Sequence, residues 1–331
     1  MIYFGLVALL VISISSIMIV EEAYGHSYYG SRRRSYRRTN YWSTTGSENN
    51  YSPISTSTST TEPVMVVPPS DTGSSVTYET FLGFSGYVTS LAELDDTIAI
   101  MKAQGFNTYR ISFRPSWLNR DNSYHGYTEA YIDHLLATTD FLVIVDGNHL
   151  YPPTEASAQD ARTHWTDVQN RLFQILSRYG NNPRVAIELI NEYVSTDYNT
   201  RMQALITAIR EAGYTNMIVV NKWNTAWHKF TDPLDNTYQG YHYYFNSWSV
   251  DGAMNQMEMA ASRGIKVINT EIGASYNEYR DYTQSTVDET EAFIAQCTAL
   301  GAGNLLWQNN NDDNWATYVH YDLEIDTSSL S

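Results

Sequence analysis

Residues 171–192 read RLFQILSRYGNNPRVAIELINE, and their order decides the fold. Leu172, Ile175, Leu176 and Tyr179 recur at three- and four-residue intervals, the repeat of a helix with one apolar face. Gly180 then supplies a helix stop. VAIELINE, 185–192, is a run of apolar and β-prone residues without polar alternation, as in a parallel strand buried on both faces. It finishes on Asn191 and Glu192. An ionised carboxylate taken out of water is costly unless it is paired or used, so the tip of this strand needs a reason that the rest of the chain must supply.

Working outward, the same helix-then-strand text repeats. FLGFSG (81–86) precedes a helical LAELDDTIAIMKAQG. NTYRISF (107–113) precedes TEAYIDHLLATTD, and FLVIVDGNHL (141–150) precedes one long helix over 157–180. After VAIELINE come RMQALITAIREAG, MIVVNKW (217–223), TYQGYHYYF (237–245), VDGAMNQMEMAASRG, KVINTEIGA (266–274), STVDETEAFIAQCTALG and NLLWQNN (304–310). Eight βα units in this length predict a (β/α)8 TIM barrel. The doubly wound alternative lacks a Gly-rich phosphate loop after its first strand. After the eighth strand, WATYVHYDLEIDTSSLS leaves no room for a regular helix, so the eighth helix is expected to be missing or irregular.

The first 75 residues read differently. The apolar stretch 2–20 with Ala23-Tyr24-Gly25 behind it predicts a cleaved signal peptide over 1–25, with a membrane anchor as the alternative. Residues 26–42 hold five Arg between 32 and 38, and 43–75 form a Ser/Thr/Pro-rich linker with a glycosylation sequence at Asn50-Tyr51-Ser52. These features predict an extracellular or cell-surface protein, with surface or membrane association through the N-terminal segment. The catalytic domain is expected to span 76–331, as a monomer. That span carries 15 Lys and Arg against 31 Asp and Glu, so it holds the whole net charge of −16 and nucleic acid is excluded as a partner. The single cysteine, Cys297, sits in the helical pattern EAFIAQCTAL and reads as a buried helix residue. No disulfide framework, zinc spacing or cofactor motif is present.

In a barrel of this kind the C-terminal strand ends carry the active site. They present Arg110 on the second strand, Asn148 and His149 on the third, Asn191 and Glu192 on the fourth, His242 and Tyr244 on the sixth, Glu271 on the seventh and Trp307 on the eighth. Glu192 and Glu271 face each other across the mouth, as a pair of carboxylates for glycoside hydrolysis must. Arg110 can keep one carboxylate ionised and Tyr244 can hydrogen-bond it. Asn191 can donate to a sugar hydroxyl, and Trp307 offers a flat face to a pyranose ring.

The segments RYGNNPRVAIELINEY, YHYY, INTEIGA and LLWQ, in that order on successive strand ends, resemble the cellulase family, glycoside hydrolase family five, within the clan of retaining barrel glycosidases. The resemblance runs over roughly residues 80–312. It implies Glu192 as acid/base, Glu271 as nucleophile and Asn191 near the sugar 2-hydroxyl. It also implies supporting roles for Arg110, His242 and Tyr244, and a sugar platform at Trp307. One departure stands out: the family usually places His two residues after the third-strand Asp. Here Asn148 holds that position and His149 comes one residue late, so His149 serves only if the strand end bends, which Gly147 would permit.

Other residues read more plainly. Glu188 is expected to be a structural acid satisfied by Arg110 or Asn269. Trp117, Trp223, Trp227 and Trp248 serve packing or sugar binding, with Trp223 and Trp248 the better sugar candidates. The expected activity is that of a secreted retaining endo-β-1,4-glycosidase on a polysaccharide, a cellulose-type β-glucan before mannan. The alternatives are a catalytically silent carbohydrate-binding barrel and an adhesion protein working through its Arg and Ser/Thr segment.

Overall fold

A computed structural model describes residues 81–118, 126–221, 227–244, 249–273 and 284–308. The expected signal peptide, the Arg-rich segment, the expected linker, Trp223, Trp248 and everything after the eighth strand lie outside these residues. No helix among the described residues is long and apolar enough to cross a membrane.

Eight parallel strands close into a barrel in chain order. Strands β1 (Leu82–Gly86), β2 (Thr108–Ser112), β3 (Leu142–Asp146) and β4 (Val185–Glu188) form the first half. Strands β5 (Ile218–Asn221), β6 (Thr237–Tyr244), β7 (Val267–Gly273) and β8 (Gly303–Gln308) form the second. The helices are α1 (Leu91–Ala103), α2 (Glu129–Thr138), α3 (Glu155–Thr163), α4 (Trp165–Tyr179), α5 (Tyr198–Glu211), α6 (Val250–Ser262) and α7 (Gln284–Ala299). Side-chain oxygens of Ser90, Thr128, Thr154 and Ser249 accept from backbone N–H groups in the first turns of α1, α2, α3 and α6, satisfying donors that have no partner within the helix.

Two elements differ from the sequence expectation. The single helix expected over 157–180 is two, because His164 ends α3 with a C-cap bond to the Asp160 carbonyl and starts α4. The assigned fourth strand ends at Glu188, with Leu189 N–H still donating to the Val219 carbonyl of β5, so Ile190, Asn191 and Glu192 lie beyond the ladder.

The core has two parts. The larger cluster takes residues such as Val143, Val145, Val185, Ile187 and Val220 together with the inner faces of the helices, for example Leu172, Ile175 and Leu176 of α4. Cys297 of α7 is fully buried in it, as its helical setting implies. The smaller cluster, Leu142, Ile144, Ala186, Met217, Val219, Ile268 and Leu305, fills the barrel's floor. Ile144 pairs in register with Arg110, and above that level the interior turns polar.

Candidate active site

Arg110, fully buried at the centre of β2, organises the upper barrel. Its Nε donates to Glu188 Oε2 at 2.6 Å and its Nη2 to Glu188 Oε1 at 2.7 Å, a two-pronged pair. Nη2 also donates to Asp146 Oδ2 at 3.1 Å and Asn191 Oδ1 at 2.7 Å, while Nη1 donates to Ser85 Oγ and Glu271 Oε1, both at 2.9 Å. Burial alone would lower the guanidinium's pKa, but Glu188, Asp146 and Glu271 raise it well above its ordinary value. One cation serves three buried carboxylates, and burial wins at each of them. It pushes Asp146 up to about 6 and Glu271 up to about 7, and it raises Glu188, in every case against the pull of Arg110. Glu188, expected as a structural acid, is fully buried and held by Arg110. Asn269 instead donates to Asn304 Oδ1 at 2.7 Å.

Glu192 does not ride on a strand. It adopts φ of 45°, a left-handed backbone that is sterically disfavoured for a residue with a side chain. Oε1 lies 2.6 Å from His242 Nδ1, which is also 3.3 Å from Glu271 Oε2. One ligand atom from each of Glu192, His242 and Glu271 falls within 4.8 Å of the other two. Burial, followed by the charge of Glu271, raises Glu192 well above the ordinary carboxylate range. Burial also holds the His242 imidazole well below its ordinary value, so it is neutral.

The second acid is placed by an irregularity in β7. Tyr241 pairs with Asn269 and His242 with Glu271, so Thr270 is an extra residue and both it and Glu271 face the site. Tyr244 donates its hydroxyl to Glu271 Oε2 at 2.6 Å. Its ring lies where a Cβ on Gly273 would be only 2.4 Å away, which accounts for glycine opposite Tyr244 in the ladder.

The third-strand offset is resolved by the fold. His149 is the residue that turns into the site: its Nδ1 lies 2.6 Å from Asp146 Oδ2, and its ring stacks on Trp307 with centroids 5.7 Å apart at 18°. Asn148 turns the other way, donating from Nδ2 to the Val168 carbonyl of α4 at 3.3 Å, and does not join the site. Asn191 spends its amide donor on the Leu150 carbonyl at 3.1 Å and its oxygen on Arg110. Trp307 is half-buried at the end of β8.

Similarity to known proteins points the same way. The family model for cellulase (glycosyl hydrolase family 5) matches residues 70–313. The chain belongs to this family. No curated protein sequence matches it. Among solved structures, the cellulose synthase subunit Z of Clostridioides difficile shares 17% identity at a TM-score of 0.56, with 76% of this chain and 99% of that one covered. A hyperthermophilic endo-β-1,4-glucanase solved with substrate shares 16% at 0.54, covering 71% and 89%. A β-mannanase from Streptomyces thermolilacinus shares 18% at 0.52, covering 76% and 86%. At such identities the likeness shows a shared fold.

The site of this family 5 glycoside hydrolase also brings in residues that the sequence reading did not assign to it. Tyr87, just past β1, meets both His149 and Trp307 edge-on, with centroids 5.0 Å and 5.6 Å away. Asp146 is shared by Arg110 and His149. Its place at the end of the apolar run FLVIV was the available signal. Asn221 and Thr270 bond the far side of His242. Of the described tryptophans, Trp117 stacks on His164 at 5.2 Å and Trp227 packs against Tyr241 at 5.8 Å. Glu192, His242 and Glu271 are the group among the described residues whose ligand atoms are close enough for a metal ion. An ion there would have to displace the hydrogen bonds that Tyr244 and His242 already make to the two acids.

Proposed function

We propose that this family 5 hydrolase is a retaining endo-β-1,4-glycosidase, with Glu271 as nucleophile and Glu192 as acid/base, acting on a cellulose-type β-glucan first and mannan second. The observation that carries the reading is the asymmetry of two closely spaced acids. Glu271 receives Arg110 and Tyr244, donors that favour its ionised form. Glu192 has neither and is raised by burial and by the Glu271 charge, which suits a group that must arrive protonated. One oxygen of each acid lies within 4.8 Å of one of the other, a proximity compatible with the ~5–5.5 Å carboxyl spacing of retaining enzymes. Glu271 attacks the anomeric carbon as Glu192 gives its proton to the departing oxygen. Ionised Glu192 then takes a proton from the water that releases the sugar from Glu271.

The structural neighbours include a β-1,4-glucanase and a β-mannanase, which supports the linkage and leaves both sugars in play. We further propose an extracellular or cell-surface site of action, on the strength of the apolar stretch 2–20 and the linker composition of 43–75. Reducing ends released from a panel of β-glucans, mannan and xylan test the substrate. Proton NMR of the first product tests the mechanism, with the β-anomer expected. The α-anomer appearing first would overturn it. N-terminal sequencing of exported protein tests the leader, with cleavage after about residue 25 expected.

A further inference from the structure

Asn221 closes β5 with its side chain fully buried beside His242. Gly240 on the paired strand leaves it room, since a Cβ there would meet Nδ2 at 3.0 Å. Asn221 Nδ2 donates to His242 Nε2 at 2.5 Å and to Thr270 Oγ1 at 2.9 Å, and the Thr270 hydroxyl lies 3.1 Å from the same Nε2. A ring nitrogen that accepts carries no hydrogen, so a neutral His242 in this setting keeps its proton on Nδ1.

Two observations favour this setting over its reverse. With the amide turned round, two N–H donors would be idle in place of the single Asn221 Oδ1 that now lacks a partner. A bare Nδ1 would also point its lone pair at Glu271 Oε2, 3.3 Å away, the oxygen that already accepts from Tyr244.

We propose that Asn221 is a positioning residue that fixes the His242 tautomer and thereby decides which oxygen of Glu192 carries the transferable proton. Nδ1–H donates to Oε1 at 2.6 Å, so the proton of neutral Glu192 resides on Oε2, which has no hydrogen-bond partner among the described residues. In the first step that proton passes from Oε2 to the glycosidic oxygen as the C–O bond breaks and the bond to Glu271 forms. Oε1 stays anchored on Nδ1–H, and in the second step Oε2 takes a proton from the attacking water. With the opposite tautomer, Nδ1 would accept the acid's proton and hold it away from the leaving group. The inference rests on the role proposed for Glu192.

The test uses the whole chain with ¹⁵N-labelled histidine, the His242 signals being assigned by difference against His242→Gln. Wild type should show Nδ1 protonated and Nε2 bare. Asn221→Leu, which keeps the branched shape but has no hydrogen-bonding group, should shift the population toward Nε2–H. It should also slow polymer hydrolysis by about ten- to a hundredfold while sparing the first step on an aryl glycoside whose leaving group needs no proton. Protonated Nε2 in the wild type would overturn the proposal even if no variant folds. So would an Asn221→Leu protein that loses both substrate types equally with its tautomer unchanged. Wild-type Nδ1–H together with full polymer hydrolysis by Glu192→Ala would instead overturn the role of Glu192 and leave the tautomer standing.

Discussion

Two layers of the barrel interior are both buried and are built in opposite ways. The floor is Leu142, Ile144, Ala186, Met217, Val219, Ile268 and Leu305, and its stability comes from apolar area removed from water. The layer above is a guanidinium ringed by Glu188, Asp146, Glu271, Asn191 and Ser85. Burying these ions costs several kcal/mol each before their mutual attraction is counted, so they are not there for stability. The comparison teaches where the strain of function is kept. The floor is insulated from chemistry, whereas the mouth holds excess negative charge around a single cation so that two carboxylates titrate differently.

The largest expected effect breaks that division directly. Glu271→Ala should lower turnover on every substrate by roughly a thousandfold or more. Its melting temperature should change little, because losing a carboxylate whose ionisation the fold disfavours offsets the Arg110 and Tyr244 donors left without their acceptor. A floor change, Ile144→Ala, should do the reverse and cost about 2–5 kcal/mol of stability with turnover per folded molecule little changed. Kinetics with parallel thermal melts would expose any crossover of the two behaviours.

Next comes the cation. Arg110→Met leaves Glu188, Asp146 and Glu271 buried without their common partner, which should destabilise the fold by about 3–5 kcal/mol. Adding Glu188→Gln should recover part of that loss, because one of the stranded charges is gone. A double-mutant cycle showing strict additivity would mean that the mouth is not held as an electrostatic unit.

A smaller effect sharpens the comparison within one loop. His149→Ala should cut turnover by about ten- to a hundredfold, since it strips a partner from both Asp146 and Trp307. Asn148→Ala, aimed at α4, should leave chemistry intact and change only the melting temperature.

The smallest effect is the pH dependence of stability. Asp146 at about 6 and Glu271 at about 7 bind protons in the folded state at pH values where the unfolded chain has already lost them. Between roughly pH 4 and pH 7 the native state therefore holds more protons, and stability falls as pH rises, by up to about 1.4 kcal/mol per pH unit for each such group. Denaturant titrations across that range should show the decline, and Glu271→Gln should flatten its upper part.

The repeating βα units, the burial of Cys297 and the gathering of Glu192, Glu271, Arg110, His242 and Tyr244 around one buried site were legible in the chain alone, although Arg110 sits at the centre of β2 and Glu192 past the end of β4. Helix periodicity, apolar strand runs and glycine stops are local properties, and a barrel converts order along the chain directly into order around the mouth. Tertiary structure decided the rest. It ended β4 at Glu188 and put Glu192 on a left-handed turn, made Thr270 an extra residue in β7, chose His149 over Asn148, and brought Asn221 to His242. Those outcomes depend on partners in other elements of the fold, as Arg110 and Glu271 meet across 161 residues of chain, and no short window of sequence contains both sides of such a contact.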